Sequence, residues 1–177
     1  MKTFRKFSLL LIGLISFSLL FNSCRDDDDD GGDTGDTSAG TIKAKVSGSD
    51  FKADGQMAMA TYVAQGKMLT IYGTDMSGRA IQIIINNYDS STGTWKIPNG
   101  TGSIGVVGSY IEASTSGSQT WVAPYSGSGE IGEVKISEFA ANGSVKGTFS
   151  FKARNQNDNS NFKEIKEGSF NLTVKSY

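Results

Sequence analysis

Residues 144 to 154 read SVKGTFSFKAR, and their side chains alternate without a break. Val145, Gly147, Phe149, Phe151 and Ala153 fall on one face, with Lys146, Thr148, Ser150, Lys152 and Arg154 on the other. Successive residues of a strand point to opposite faces, so this segment specifies a β-strand with one buried and one wet side. The same period recurs along the chain after Gly40. Thr41 to Val46 places Ile42, Ala44 and Val46 together, Lys67 to Asp75 places Leu69, Ile71 and Gly73 together, and Arg79 to Asn87 carries Ile81, Ile83 and Ile85. Gly168 to Lys175 closes the series with Phe170, Leu172 and Val174. Less regular strands are expected at Met57–Ala64, Gly93–Ile97, Val106–Ala113, Thr120–Tyr125 and Glu130–Ala140. In the last of these, Ile131, Val134, Ile136 and Phe139 break phase, which predicts a bulge.

Turn signals separate these runs. Gln65-Gly66 and Met76-Ser77-Gly78 punctuate the first half, and NQNDNSN at 155–161 is a polar loop. Asn142-Gly143 predicts a type I′ hairpin turn, in which both residues take positive φ. Glycine is plentiful at 22 residues and proline scarce at 2, which suits short strands joined by tight turns. No stretch has the 3.6-residue period of an amphipathic helix of about ten residues. The expected fold is therefore all-β: an antiparallel sandwich or a small barrel of about nine or ten short strands across residues 41–177. A sandwich would fill its interior with side chains, whereas a barrel could hold an apolar ligand.

The N-terminus has a different grammar. Lys2, Arg5 and Lys6 precede the uncharged run FSLLLIGLISFSLLF at 7–21. Such a run spans only about 22 Å as a helix, short of a hydrocarbon core of about 30 Å. A cleaved signal peptide over residues 1–23 fits it better than a permanent anchor helix. LFNSC at 20–24 resembles a lipobox, the site at which a bacterial lipoprotein is cut before a lipidated cysteine. Cys24 is the chain's one cysteine and stands at the boundary between the apolar run and a polar tail. Residues 24–40 then read as the acylated cysteine followed by an acidic, apolar-poor tether, RDDDDDGGDTGDTSAG, too polar to repay the entropy of folding. Acyl groups on Cys24 are the expected attachment to a membrane. An acidic run after a lipidated cysteine resembles the surface-export signal of Bacteroidetes lipoproteins. The outer leaflet of the outer membrane is the expected location on that resemblance, with the periplasmic face as the alternative.

The segments TIKAKVSGSDFKAD (41–54), LTIYGTDMSGRAIQIII (69–85), SGSGEIGEVKISEF (126–139), VKGTFSFKA (145–153) and EGSFNLTV (167–174) together resemble a family of Bacteroidetes lipoproteins that share domain of unknown function 6252. The resemblance implies a β-rich exported domain and brings no catalytic residues with it.

The residues available for chemistry are few. The chain has no histidine, which excludes Ser-His-Asp and Cys-His sites and the commonest transition-metal ligand. Most of the body's carboxylates sit beside turns or at outward strand positions, with no Asp-x-Asp metal pattern, so no metal site and no catalytic residue is assigned. Residues 41–177 hold 13 basic and 11 acidic side chains, without the basic field that nucleic acid requires. Trp95, Tyr110, Trp121 and Tyr125 fall near turns in the middle third. They are candidates for aromatic platforms that stack on a ligand, against the plainer reading of core plugs. The expected function is a lipid-anchored binding or accessory module, without enzyme activity, whose partner is an extracellular glycan or protein. The alternatives are a barrel carrying a lipophilic ligand and, behind it, a carboxylate-based hydrolase. No cofactor beyond the acyl groups is expected.

Overall fold

The structure is a computed structural model that describes residues 37–98, 105–115, 117–126 and 130–177. The expected signal peptide, Cys24 and the expected tether up to residue 36 lie outside the described residues. The strands are β1 (Thr41–Val46), β2 (Ser49–Asp54), β3 (Ala58–Val63), β4 (Met68–Thr74), β5 (Arg79–Asn86), β6 (Gly93–Ile97), β7 (Val106–Ser114), β8 (Gly117–Ala123), β9 (Gly132–Phe139), β10 (Ser144–Asn155) and β11 (Phe162–Ser176). All eleven belong to one hydrogen-bonded sheet, so the all-β expectation holds.

Sandwich and barrel turn out to be two descriptions of the same object. One layer runs β2-β1-β11-β10-β9-β6 and the other β3-β4-β5-β7-β8. The layers face each other: a Cβ on Gly73 of β4 would lie 2.8 Å from Ile42 and Ala53 in the opposite layer, and one on Gly108 of β7 would lie 3.0 Å from the Phe151 ring. Two corners join them. Val174–Ser176 at the end of β11 pair with Ala60–Tyr62 of β3, and Arg154–Asn155 at the end of β10 pair with Val122 and Trp121 of β8. Because β10 and β11 are antiparallel, the two corners lie at opposite ends of their hairpin. Strands that pass from one sheet to the next make such corners. The β11–β3 corner is parallel, a departure from the purely antiparallel expectation.

The core follows the alternation. Ile42, Leu69, Ile71, Ile81, Ile83, Ile85, Val145, Phe149, Phe151, Phe170 and Leu172 are all buried. Phe149 stacks on Phe170 at 6.2 Å between centroids. Those rings need room that glycine supplies. A Cβ on Gly147 would collide with the Lys135 carbonyl oxygen and come within 2.6 Å of Phe170, and one on Gly168 would come within 2.5 Å of Phe149.

Four further features differ from the sequence-based expectation. Strand β2 was not expected, because only Phe51 and Ala53 of its six residues are apolar; it is an edge strand whose charges face water, which protects an exposed edge from pairing. Strand β11 begins at Phe162 rather than Gly168. An extra residue near Glu167, which takes φ 52°, shifts its phase against both β10 and β1, and that shift hides the first half of the strand in the sequence. The 142–143 turn is not type I′: Asn142 alone has positive φ, at 60°, and Gly143 is there because a Cβ would lie 2.8 Å from that of Ala140. The body's contacts also start before β1. Thr37 is buried, its hydroxyl 2.6 Å from that of Ser169, and its carbonyl accepts a hydrogen bond from Asn171 Nδ2 at 2.8 Å. The expected bulge in the 130–140 strand is present, at the register shift opposite Lys146 and Gly147.

The glycine contacts give a direct test. Gly147→Ala should cost about 3 kcal/mol, because the methyl group must displace backbone on β9 and a packed ring. Gly66→Ala should change stability by less than about 0.5 kcal/mol, since its Cβ would sit 3.7 Å from the nearest atom at an ordinary φ. Urea unfolding of both variants separates the two outcomes.

Candidate functional site

At the β8–β10 corner the alternation assigns neighbouring residues to opposite sides of the wall. Trp121, Asn155 and Ala153 point inward and are buried; Val122 and Arg154 pair with each other on the outside. The two strands stay paired for only these two residues. A cleft of about 390 Å³ lies on the outer side of this corner. Val122, Pro124, Tyr125, Arg154, Asn155, Gln156 and Asn159 line it. That volume lies within the range that holds small ligands, about 300–1,000 Å³.

The loop on one side of the cleft is held in shape by its own side chains. Asn155 Oδ1 accepts from the backbone N–H of Asn157 at 2.8 Å and of Asp158 at 3.1 Å. Asp158 Oδ1 accepts from the Ser160 N–H at 2.9 Å and hydroxyl at 2.6 Å, and these bonds hold its carboxyl below the usual range. A backbone bond from Asn155 N–H to the Asn161 carbonyl closes the loop, and one from Gln156 N–H to the Thr120 carbonyl ties it to β8. Asn and Asp side chains favour such turns because they replace a backbone acceptor.

Aromatic and cationic groups alternate along the outer face at this corner. The Arg154 guanidinium lies over the Tyr125 ring at 5.1 Å, Tyr125 meets Phe162 at 5.6 Å, and Lys152 lies over Phe162 at 4.7 Å. Arg154 also donates to the Ser126 carbonyl oxygen at 3.4 Å, a long bond. Burial raises the Tyr125 phenol, with the Arg154 charge working against it, so the ring is neutral at physiological pH.

The inward side carries a second polar group. Lys163 Nζ is 2.7 Å from Glu112 Oε1 and lies over the Trp121 ring at 4.8 Å. Tyr110 donates to the same Glu112 oxygen at 2.9 Å, and Trp121 Nε1 donates to Asn161 Oδ1 at 3.0 Å. Nearby, Asp75 is buried and holds Arg79 through two nitrogens, at 2.6 and 2.5 Å, while accepting from the Ser77 and Arg79 N–H groups. Burial would raise the Glu112 carboxyl, but the bonds from Lys163 and Tyr110 outweigh it and hold the group below its usual range. Burial pushes the Tyr110 phenol well up, and its bond to Glu112 adds to that.

The four candidate aromatics therefore divide. Trp121 and Tyr110 are each 1 % exposed and cannot present a ring face to a ligand; they stand at inward positions of paired strands. Trp95 is half-buried and packs at 5.2 Å against Tyr88, inside a cluster with Tyr62 and Phe139. Tyr125 alone of the four lines the cleft. Sequence reasoning did not single out Arg154, Gln156, Asn159 or Phe162. Arg154 ends an outward row and the amides fall in a polar loop, which marks them as wet, but only the corner brings them beside Tyr125.

Among the described residues no three Asp, Glu or Cys side chains come together as a metal cage. The body's acids are mostly taken up by cations or turns: Asp50 by Lys45, Glu130 and Glu133 by Lys96, Glu138 by Lys146 and Glu164 by Lys166. No helix among the described residues is long and apolar enough to cross a membrane.

Residues 38–172 match the sequence model of a family described as a domain of unknown function, DUF6252. No curated protein and no solved structure matches the chain.

The Glu112–Lys163 pair has a pH signature. A lowered folded-state carboxyl contributes stability that is fully present above the usual value of about 4.3 and is lost as pH falls through the folded value. Glu112→Gln should cost about 1 kcal/mol or less at pH 7, since the pair is only partly buried, and the difference from wild type should shrink as pH falls below about 4. Urea midpoints measured from pH 7 to pH 3 read this directly.

Proposed function

The chain belongs to the DUF6252 family, and from that premise we propose that it is a lipid-anchored binding module of the cell envelope, displayed on the outer-membrane surface, which captures an extracellular ligand in the β8–β10 corner cleft. The observation that carries the binding half is the lining of that cleft. An aromatic ring, a guanidinium and side-chain amides converge on an outward-facing concavity, and such a mixture of flat apolar and directional polar groups suits recognition of a hydroxylated, ring-shaped ligand. The anchoring half is supported by the sequence: the cationic start, the apolar run, Cys24 at its end and the acidic tether.

A role without catalysis fits the titratable groups. The two most enclosed carboxylates, Asp75 and Glu112, are each committed to a cation, so neither is poised as a free base or nucleophile. The reading of a carrier for a lipophilic ligand has less support. Phe149, Phe151, Phe170, Tyr110 and Trp121 occupy the interior, and Gly108 brings the opposite wall into contact with the Phe151 ring.

Location is checked by fractionation. The wild-type chain should partition into the membrane pellet and be cut by an added protease on intact cells. Cys24→Ser should release it to the soluble fraction. A Cys24→Ser protein that stays in the pellet removes the lipid anchor. Wild-type protein cut only after the outer membrane is opened moves it to the periplasmic face.

A further inference from the structure

Among the described residues seven of the body's 13 cations pair with a carboxylate, and the one that lines the cleft, Arg154, does not. Lys45, Lys52, Arg79, Lys96, Lys146, Lys163 and Lys166 each pair with an acid within 3.1 Å. Arg154, by contrast, has no carboxylate partner among the described residues; its contacts are the Tyr125 ring and the Ser126 carbonyl. Lys152, two residues before it on the same outward row, rests on Phe162. The acids closest in the chain are already engaged: Asp158 by Ser160, and Glu164 by Lys166 at 2.7 Å. A planar guanidinium keeps five N–H donors in a fixed fork that matches a carboxylate. Stacking on Tyr125 fixes the plane of that fork without using its donors.

Resting on the reading of this cleft as a binding site, we infer that its ligand is an acidic saccharide, and that Arg154 receives the sugar carboxylate. The remaining lining completes the match. Gln156 and Asn159 carry amides that can both donate to and accept from hydroxyls, and both are exposed. Pro124 and Tyr125 offer apolar surface to the C–H face of a pyranose ring. A cleft of about 390 Å³ has room for one or two sugar rings and leaves a longer chain to run out over the surface. Salt weakens the attraction between Arg154 and the carboxylate because the site is open to water.

The test uses the full chain in detergent and trigalacturonate, compared with the same trisaccharide fully methyl-esterified, by isothermal titration calorimetry. The ester keeps the rings and hydroxyls and replaces each carboxylate charge with a neutral methyl ester. Trigalacturonate should bind at least about tenfold more tightly than its ester, and the gap should shrink between low and high salt. Arg154→Gln should bring the two forms within about twofold of each other, whereas Tyr125→Ala should weaken both by about tenfold. The comparison of acid and ester on the wild-type chain needs no variant, so a poorly folding substitution does not blunt it. Equal binding of acid and ester overturns the choice of an acidic sugar and leaves the cleft as a site for neutral glycans. Absence of binding by trigalacturonate, its ester and cellotriose alike overturns the cleft as a saccharide site and this inference with it.

Discussion

The hairpin of β10 and β11 is the constraint on which the remaining architecture depends. Twelve and fifteen residues long, these strands lie at the centre of one layer and supply both corners to the other. A strand can serve two sheets only if it bends, and a bend in a close-packed interior needs space on its concave side. Gly147 and Gly168 provide that space, each facing an aromatic ring across the ladder or within the same layer. The extra residue beside Glu167 re-phases β11 so that Ile165 and Phe170 both remain inside. Had the phase been kept without it, the half of the strand before the bulge would have turned its apolar residues to water.

Corner and cleft have one origin. Where β10 leaves β9 for β8, its last residues are clasped for only two positions, and the chain then enters a loop whose Asn and Asp side chains hold it open. The alternation keeps Ala153 and Asn155 inside while Arg154 between them points out. The wall is thus one residue thick in chemical terms. Trp121 with Lys163 and Glu112 closes the inner side, and Tyr125 with Arg154 lines the outer. The rigid elements carry the cation, and the structured loop carries the amides. Binding residues are commonly placed in this way, on loops held by a scaffold.

Much of the fold could be read from alternation, because a half-buried strand writes its two faces into the sequence. β4, β5 and β10 are plain for this reason, and even β6 was expected at Gly93–Ile97 with its observed limits. What stayed hidden is what alternation does not encode. β2 has too few apolar residues to announce itself, and the start of β11 is masked by a bulge. The two corners depend on pairing between distant segments, Trp121 with Asn155 and Tyr62 with Ser176, that no local pattern specifies. The candidate site was legible only in part. Tyr125 stood out as an aromatic near a turn, but so did Trp121 and Tyr110, and burial alone separates them. Inward or outward is decided by register, and a shift of one residue exchanges the two.

The treatment of charge points the same way as the geometry. Burying an ammonium is costly unless it is paired, and Lys163 at the inner side of the corner has Glu112 and two aromatic faces to compensate it. An exposed cation has no such need, since water solvates it, so the lack of an acid beside Arg154 costs the fold nothing. The fold does, however, hold that side chain in place: it lies over Tyr125 rather than extending into solvent. Ordering a long side chain loses entropy, up to about 2 kcal/mol for arginine, and the stacking contact offsets only part of that loss when it is open to water. A guanidinium that is ordered in advance, with one donor on the Ser126 carbonyl, the rest available and an aromatic plane behind it, gives up little further freedom when an anion arrives. Preorganisation of this kind lowers the cost of binding without adding to the stability of the fold.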